Sequence, residues 1–243
     1  MSETPAPVRI TVLDYGMGNL RSVEKAFERV GAQAQVTSDP ATAGAADGLV
    51  LPGVGAFPAA MARIRQLELD TLLREWVGAG RPVLGICLGA QLVLSSSTEL
   101  GGDEGLALIP GEVTPLEAPG LKLPHIGWEP VRWRRESELT DGIPDGTPFY
   151  FVHTYAPRPA RGDDVLGVAE HGESFACALA RPPVFGAQFH PEKSSAAGLR
   201  ILANFVGIAR SGGGGAVKAR AAIAAHASGA GDATADRGDG IPG

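Results

Sequence analysis

The feature that most constrains the fold is the alternation of β-rich and helical segments through the first ninety residues. The β-rich runs are 8–15, 34–38, 47–53 and 83–87, and the helical segments are 20–31, a short stretch near 40–46, and 57–78. No two-residue hairpin turn joins successive β-rich runs, so the connections are crossovers and the strands are parallel. The pattern predicts an open, mostly parallel, doubly wound α/β sheet with helices on both faces.

The second half of the chain has a different pattern. Short β-rich runs are separated by Gly, Pro and Asp, at 112–117, 130–135, 147–155, 164–170, 174–180 and 184–190. They predict an antiparallel strand layer added to the parallel sheet, followed by a last helix at 194–209. We predict one domain over 8–210. Residues 211–243 form a Gly/Ala-rich tail with few large apolar side chains, which predicts disorder.

Composition excludes several classes of function. The chain is 44% hydrophobic with a net charge of −6, which gives a sizeable core and no basic field for nucleic acid. It has neither a run suited to a membrane span nor a signal peptide, so we expect a cytoplasmic protein. With only Cys87 and Cys177, a disulfide framework is excluded, and each thiol needs its own explanation.

Cys87 lies in the stretch PVLGICLGAQLVL, residues 82–94, where a strand pattern changes to a helical one. Strand, G-x-C-x-G and helix form the thiol counterpart of a nucleophile elbow, because glycines at 85 and 89 permit a sharp turn. The helix that follows favours a thiolate, and the N–H of Leu88 points where an oxyanion could form. The alternative is a buried core thiol, and this is the interpretation that we favour for Cys177.

A thiol nucleophile needs a base and a group that orients it. His190 ends an apolar strand and is followed by Pro191 and Glu192, whose carboxylate can turn back toward the imidazole. The same three residues also suit a helix entry. We expect His125 and His153 to be structural hydrogen bonders, and His171 and His226 to be solvated. Without C-x-x-C or H-x-x-x-H spacing, no metal site is predicted.

Three segments together resemble the class I, or triad, glutamine amidotransferases: GICLGAQ around Cys87, PGVGAF at 52–57 and GAQFHPEKS at 186–194. The resemblance covers residues 8–208. It implies a flavodoxin-like fold with a nucleophile elbow, hydrolysis of the side-chain amide of glutamine, and no cofactor. Ala90 departs from the methionine usual in the family, which affects packing behind the elbow rather than the chemistry.

The resemblance assigns roles to individual residues. Cys87 would attack the amide carbon, His190 would act as acid and base, and Glu192 would hold the imidazole. The oxyanion hole would comprise Gly53, Val54 and Leu88, and the glutamine-binding positions would be Gly55, Gln91, Glu99, Thr154 and Tyr155. Glu99 would bind the α-amino group of the substrate.

Three further segments, DYGMGNLRSV at 14–23, PHIGWE at 124–129 and FVHTYAP at 151–157, most resemble the glutaminase subunits of imidazole glycerol phosphate synthases, a branch of this family that acts in histidine biosynthesis. The resemblance implies a partner, a (βα)8-barrel cyclase subunit that receives the ammonia. Trp128 is a candidate anchor for that interface, with core packing as the alternative.

Other interpretations stay open. The chain could serve another synthase, such as those of pyridoxal phosphate, anthranilate or guanylate. It could be a stand-alone γ-glutamyl thiol hydrolase, or a non-catalytic regulator that keeps the fold. GMGN at 16–19 lacks the full dinucleotide-binding fingerprint, so no dinucleotide site is predicted.

Overall fold

A computed structural model describes residues 6–212. The strands are β1 Arg9–Leu13, β2 Gln33–Thr37, β3 Gly48–Gly53, β4 Val83–Cys87, β5 Ser96–Ser97, β6 Asp103–Glu104, β7 Gly111–Pro115, β8 His125–Trp133, β9 Thr147–His153, β10 Tyr155–Pro159, β11 Val165–His171, β12 Glu173–Arg181 and β13 Val184–Ala187. The helices are α1 Leu20–Arg29, α2 Pro40–Gly44, α3 Phe57–Gln66, α4 Leu69–Gly78, α5 Leu88–Leu92 and α6 Ser195–Arg210. Across these residues no helix has both the length and the apolar run that a membrane crossing requires.

Nine strands form the main sheet, in the order β2-β1-β3-β4-β13-β12-β11-β8-β9. The first five strands in this order, β2, β1, β3, β4 and β13, pair parallel with one another. The remaining four pair antiparallel and extend the same sheet. A second, four-stranded sheet has the order β10-β7-β5-β6. The predicted α/β class and the antiparallel addition are confirmed, and most of that addition widens the main sheet.

Two hydrophobic clusters cover the parallel strands. One includes α1 and α6, whose Phe27 and Phe205 rings meet edge to face with centroids 6.2 Å apart. The other includes α3 and α4 together with Leu88 and Leu92 of α5. The central strands β3 and β4 are buried along their whole length, which explains their apolar runs GLVLPG and VLGIC. The doubly wound arrangement is therefore confirmed.

The helical segment predicted over 57–78 forms two helices rather than one. The chain forms α3 and α4, separated at Glu68, which has a left-handed φ of 57°. Ile64 is buried, and a continuous helix would place position 68, four residues later, on the same buried face. That position is Glu68, whose charged side chain is unfavourable in the core. The break shifts the phase by one residue, so that Leu69 and Leu73 are buried instead.

The strand predicted over 147–155 is also two strands. β9 ends at His153 and pairs with β8, whereas β10 begins at Tyr155 and pairs with β7 in the second sheet. Thr154 is the point at which the chain passes from one sheet to the other. The domain limits of 8–210 stay a prediction, and the predicted disorder beyond residue 212 lies outside the described residues, as does His226.

Candidate active site

The carboxyl ends of three neighbouring parallel strands, β3, β4 and β13, define the site. PGVG begins at the end of β3, Cys87 is the last residue of β4, and His190 follows β13 by three residues. Ligands of open α/β sheets bind at this edge. The topology therefore brings together three segments that are far apart in sequence.

Cys87 lies at a sharp turn between β4 and α5. Its φ of 54° and ψ of −110° are unfavourable for a residue with a side chain. A Cβ at position 85 would meet the backbone of Gly89 at 2.5 Å, and a Cβ at position 89 would overlap the carbonyl of Leu51. The two glycines therefore permit the close packing of α5 on the strands, as the elbow pattern predicted.

The thiol of Cys87 faces a pocket of about 280 Å³, which we call the Cys87 pocket. The Sγ atom lies 3.7 Å from the carbonyl oxygen of Val152 and 3.9 Å from Nε2 of Gln188. Cys87 is 6% exposed, whereas Cys177 is fully buried in β12, where burial raises the pKa of its thiol. Cys177 is a core residue, as predicted.

His190 is held in place from several sides. Its backbone N–H donates to the carbonyl of Tyr150 at 2.9 Å, and its own carbonyl accepts from the Ser194 hydroxyl at 2.7 Å. Nδ1 of the ring lies 2.8 Å from Oε1 of Glu192, whose side chain is 2% exposed. The imidazole is thus fixed by a buried carboxylate on the side opposite the pocket.

The charges around His190 favour the imidazolium form. Burial alone would lower the pKa of His190, but hydrogen bonds to Cys87 and Glu192, and the charges of both, raise that pKa to about 10. A cationic imidazole can give its proton to a leaving group. The arrangement therefore places a sulfur nucleophile and a proton donor at one pocket.

The PGVG segment is fixed by a tyrosine. The buried hydroxyl of Tyr15 donates to the carbonyl of Pro52 at 2.5 Å, and a Cβ at Gly53 would overlap that hydroxyl. Burial, and then the charge of Cys87, raises the pKa of Tyr15, so the phenol stays protonated and keeps donating. Gly53 pairs with Cys87 in the β3–β4 register, and Val54 is 46% exposed.

Most of the predicted site residues line the Cys87 pocket: Val54, Gly55, Cys87, Leu88, Gln91, Glu99, Thr154, Tyr155 and His190. Gly53 and Glu192 do not line it: Gly53 is the last residue of β3 and pairs with Cys87, and Glu192 holds the imidazole from behind. Nε2 of Gln91 donates to the carbonyl of Tyr155 and to Oε1 of Gln188, both at 2.9 Å. Oε2 of Glu99 accepts from the backbone N–H of Phe57 at 2.7 Å.

Three histidines form a cluster next to the pocket: His125, His153 and His171. Nδ1 of His125 lies 3.1 Å from Nε2 of His153, so these two are hydrogen bonded as expected. Burial lowers the pKa of His153 to about 3, and burial followed by the charge of His171 lowers that of His125 to about 4. The prediction that His171 is solvated is wrong, because its ring is partly buried and stacks on His125 with centroids 4.0 Å apart.

Sequence reasoning missed Tyr15 and Gln188. Both lie inside segments that the resemblance used, DYGMGN and GAQFHPEKS, but neither has a spacing that indicates its contacts. Gln188 bridges Gln91 and the Cys87 thiol, and only the sheet order brings these positions together.

A larger cavity, of about 950 Å³, lies elsewhere on the described part of the molecule. It is lined by residues of the 133–145 segment together with Pro182, Phe185 and Ile208. Neither cysteine nor histidine lines it, so it offers no comparable chemistry.

The comparison with known families agrees with this geometry. The model of the glutamine amidotransferase class-I family matches residues 11–208. The chain therefore belongs to the class-I glutamine amidotransferase family.

The relatives of this chain indicate a narrower group within the family. The imidazole glycerol phosphate synthase subunit HisH of Moorella thermoacetica is 51% identical over 204 residues, which cover 84% of this chain and 97% of the relative. The subunits HisH of Bacillus cereus strain G9842 and Salinibacter ruber are 47% and 46% identical, each over 82% of this chain and 94% of the relative. Within the family, the chain belongs with these HisH subunits.

Solved structures support the fold alone. A crystal structure of a glutamine amidotransferase matches with a TM-score of 0.63 at 20% identity, covering 82% of this chain and 98% of that one. The structure of PurLQS from Thermotoga maritima matches with a TM-score of 0.65 at 15% identity, covering 83% and 99%.

Proposed function

We propose that the chain is the glutaminase subunit of an imidazole glycerol phosphate synthase, with Cys87, His190 and Glu192 as its catalytic residues. The observation that carries the proposal is the order of thiol, imidazole and buried carboxylate at the end of the parallel strands: Cys87 and His190 line one pocket, and Glu192 holds the ring from behind. This order supplies a nucleophile, a proton carrier and a group that orients the carrier.

In the first half-reaction, the Cys87 thiolate attacks the side-chain amide carbon of L-glutamine. The carbonyl oxygen becomes an oxyanion, which the backbone N–H groups of Leu88 and of the Gly53–Val54 region stabilise by roughly 3 kcal/mol each. The carbon–nitrogen bond then breaks, and His190 gives its proton to the departing nitrogen. The products are ammonia and a γ-glutamyl thioester on Cys87.

In the second half-reaction, neutral His190 accepts a proton from water as the water oxygen attacks the thioester. The carbon–sulfur bond breaks, glutamate leaves, and the thiolate and imidazolium are restored. Glu192 keeps Nε2 of the ring directed at the reacting atoms through both steps, because it holds Nδ1 at 2.8 Å.

The pocket walls suit glutamine. The Oε1 atom of Gln91 is available to the substrate because its Nε2 is already used by Tyr155 and Gln188. One oxygen of Glu99 holds α3 and the other is available to the α-amino group. Gly55, Thr154 and Tyr155 complete the binding positions at the rim.

The ammonia is passed to a partner cyclase subunit, a (βα)8 barrel that makes imidazole glycerol phosphate and an aminoimidazole carboxamide ribotide. Residues 6–212 expose six large apolar side chains: Val54, Leu100, Leu121, Leu123, Ile126 and Trp128. Val54 lines the Cys87 pocket, and Leu100 and Leu123 are next in sequence to its lining residues Glu99 and Pro124, which favours a docking face beside the pocket. Trp128 is 48% exposed and meets the Tyr150 ring edge to face, so we propose it as an interface anchor rather than a core residue.

The direct test is a glutaminase assay with the barrel partner and its nucleotide ligand present. We expect Cys87→Ala to abolish turnover and Cys177→Ala to retain it, since both remove a buried thiol but only one faces the pocket. Full activity of Cys87→Ala in this assay would contradict the proposal.

The same assay separates the alternatives. A stand-alone γ-glutamyl hydrolase would turn over equally without the partner, and a glutaminase of another synthase would respond to a different one. The names of the relatives favour the imidazole glycerol phosphate synthase. We also propose the cytoplasm as the compartment, because the reaction needs a reduced Cys87 and cytosolic thiols are kept reduced.

A further inference from the structure

The histidine cluster leaves one buried nitrogen lone pair unused. Nδ1 of His153 lies 2.9 Å from the carbonyl of Tyr155, and a carbonyl only accepts, so Nδ1 carries the proton. Nε2 of neutral His153 then accepts from Nδ1 of His125 at 3.1 Å. Neutral His125 is left with its lone pair on Nε2, a buried atom that has no hydrogen-bond partner among residues 6–212.

Two further potential metal ligands, Glu129 and His171, lie near this nitrogen. Oε1 of Glu129 lies 3.7 Å from Nε2 of His125, and the two side chains project from the same face of β8 across Gly127, which leaves open space between them. Gly167 and Val168 of β11 pair with Trp133 and Arg132 of β8, and extending that register places His171 opposite Glu129. One ligand atom from each of His125, Glu129 and His171 lies within 4.8 Å of the others.

The tautomer of His171 also suits a ligand. Its Nε2 donates to the carbonyl of Lys122 at 3.1 Å, which leaves the lone pair on Nδ1. The site therefore offers two imidazole nitrogens and a carboxylate, the set that binds zinc with an open fourth position in other proteins. His153 is the outer partner that fixes the tautomer of the buried ligand.

We propose that His125, Glu129 and His171 bind a divalent transition metal ion of the zinc class. A bound ion lies in the plane of each imidazole that ligates it, whereas the two rings are stacked at 16°. The ring of His171, which is partly exposed and held by one hydrogen bond, turns out of the stack when the ion binds. The ion then joins β8 to β11 from the side of the cluster that reaches solvent.

The site is separate from the proposed catalytic residues but adjoins the same pocket. The proton on His153 is directed at the carbonyl of Tyr155, to which Gln91 also donates. A metal that fixes His125 would therefore stiffen one wall of the pocket without contacting Cys87.

Metal binding is measured on the full chain carrying Cys87→Ala, because a reactive thiol beside His190 is itself a zinc ligand. The protein is stripped with a chelator, and Zn²⁺ is titrated in competition with a chromogenic chelator. We expect one equivalent to bind with micromolar affinity or better, and Glu129→Gln and His171→Gln each to weaken binding by at least about tenfold.

Two matched controls accompany these variants. Glu170 precedes His171, but its carboxylate pairs with Arg132, so Glu170→Gln removes a nearby carboxylate that is outside the proposed site. His226→Gln removes a histidine from the tail. Both should bind Zn²⁺ like the Cys87→Ala parent. The parent's unfolding midpoint should rise with Zn²⁺ while those of Glu129→Gln and His171→Gln stay constant, which also shows that these variants fold.

The absence of stoichiometric binding by the parent would overturn the proposal, as would unchanged affinity in both ligand variants. Because the readout is metal binding and stability, these results are independent of glutaminase activity and leave the proposed function untouched.

Discussion

At the scale of single residues, Cys87 combines backbone strain with a charged neighbour. A side chain held at φ 54° and ψ −110° costs on the order of 1–3 kcal/mol. The surrounding structure offsets that cost by packing α5 against β3 and β4. The strained turn positions the sulfur so that it faces the pocket. The His190 imidazole, which Glu192 holds, lines the same pocket.

The pKa of His190 tests the pairing of sulfur and imidazole. Its folded value of about 10 exceeds the ordinary 6.5, so its contribution to stability is full below about pH 6.5 and is lost as the pH rises through 10. Cys87→Ala removes the partner that raises the pKa of His190 most, so we expect this pKa to fall. Titration of the His190 ring by NMR measures it, with Cys177→Ala as the control that leaves the value unchanged. Equal values in both variants would show that the sulfur does not act on this ring.

Tyr15→Phe tests how far the PGVG segment depends on one hydroxyl. Losing the bond to Pro52 removes a buried hydrogen bond and should lower the free energy of unfolding by about 1 kcal/mol. If PGVG supplies an oxyanion donor, kcat should also fall, with little change in KM, since Tyr15 does not line the pocket. Steady-state kinetics with the partner present measures both constants. An unchanged kcat would show that the Tyr15 hydroxyl does not contribute to catalysis.

At the scale of elements, the turn from β4 to α5 depends on the absence of side chains at two positions. Gly89 packs directly on the carbonyl of Leu51, so the short helix can approach β3 only without a Cβ there. Gly198 has the same role in α6, where a Cβ would overlap the carbonyl of Pro191. These contacts join the proposed catalytic segments to the sheet.

We expect Gly89→Ala to destabilise the fold strongly, by more than the roughly 1 kcal/mol typical of point substitutions. Gly78→Ala is the matched control: Gly78 ends α4, a Cβ there meets nothing within 4 Å, and alanine favours helix. Chemical unfolding of both variants provides the comparison. A Gly89→Ala protein as stable as Gly78→Ala would contradict the close packing of the elbow.

The elements show what sequence could predict. The alternating pattern of 8–87 predicts the parallel core, because each apolar run has its own length and period. The sequence does not predict the break at Glu68, because the helical period continues across it, and only the burial of Leu69 reveals the shift in phase. The meeting of His171 with His125 depends on the register of β11 with β8, which no local pattern encodes. The contacts of Tyr15 and Gln188 were missed for the same reason.

At the scale of the whole molecule, the two edges of the parallel sheet differ. The proposed catalytic residues and the pocket lie at the carboxyl ends of the strands, where the exposed apolar side chain of Val54 lines the pocket. The amino ends, where β2 begins at Gln33, carry polar and charged side chains such as Arg9, Asp47 and Arg81. We therefore propose the first edge as the one that docks the partner.

Trp128→Ala should therefore weaken the complex with the cyclase barrel. Loss of a hot-spot tryptophan costs about 2 kcal/mol or more, or roughly 30-fold in Kd. Gln33→Ala, at the opposite edge, should leave Kd unchanged. Isothermal titration calorimetry of the two variants measures the difference. Equal affinities would place the interface away from Trp128.

Partner binding should also control turnover. If the Gly53–Val54 peptide must rotate to donate to the oxyanion, glutaminase activity should be low in the isolated chain and rise steeply when the liganded barrel favours the rotated state. Glutamate release, measured with and without the barrel and its nucleotide, tests this coupling. Equal rates would contradict it.

The most direct test of the central claim is to locate the reactive sulfur. The complex is treated with a glutamine analogue that carries an electrophilic diazoketone, and the labelled chain is digested and mapped by mass spectrometry. The account predicts a single label on Cys87 that excess glutamine prevents. A label on Cys177, or an active complex that takes no label at Cys87, would contradict it.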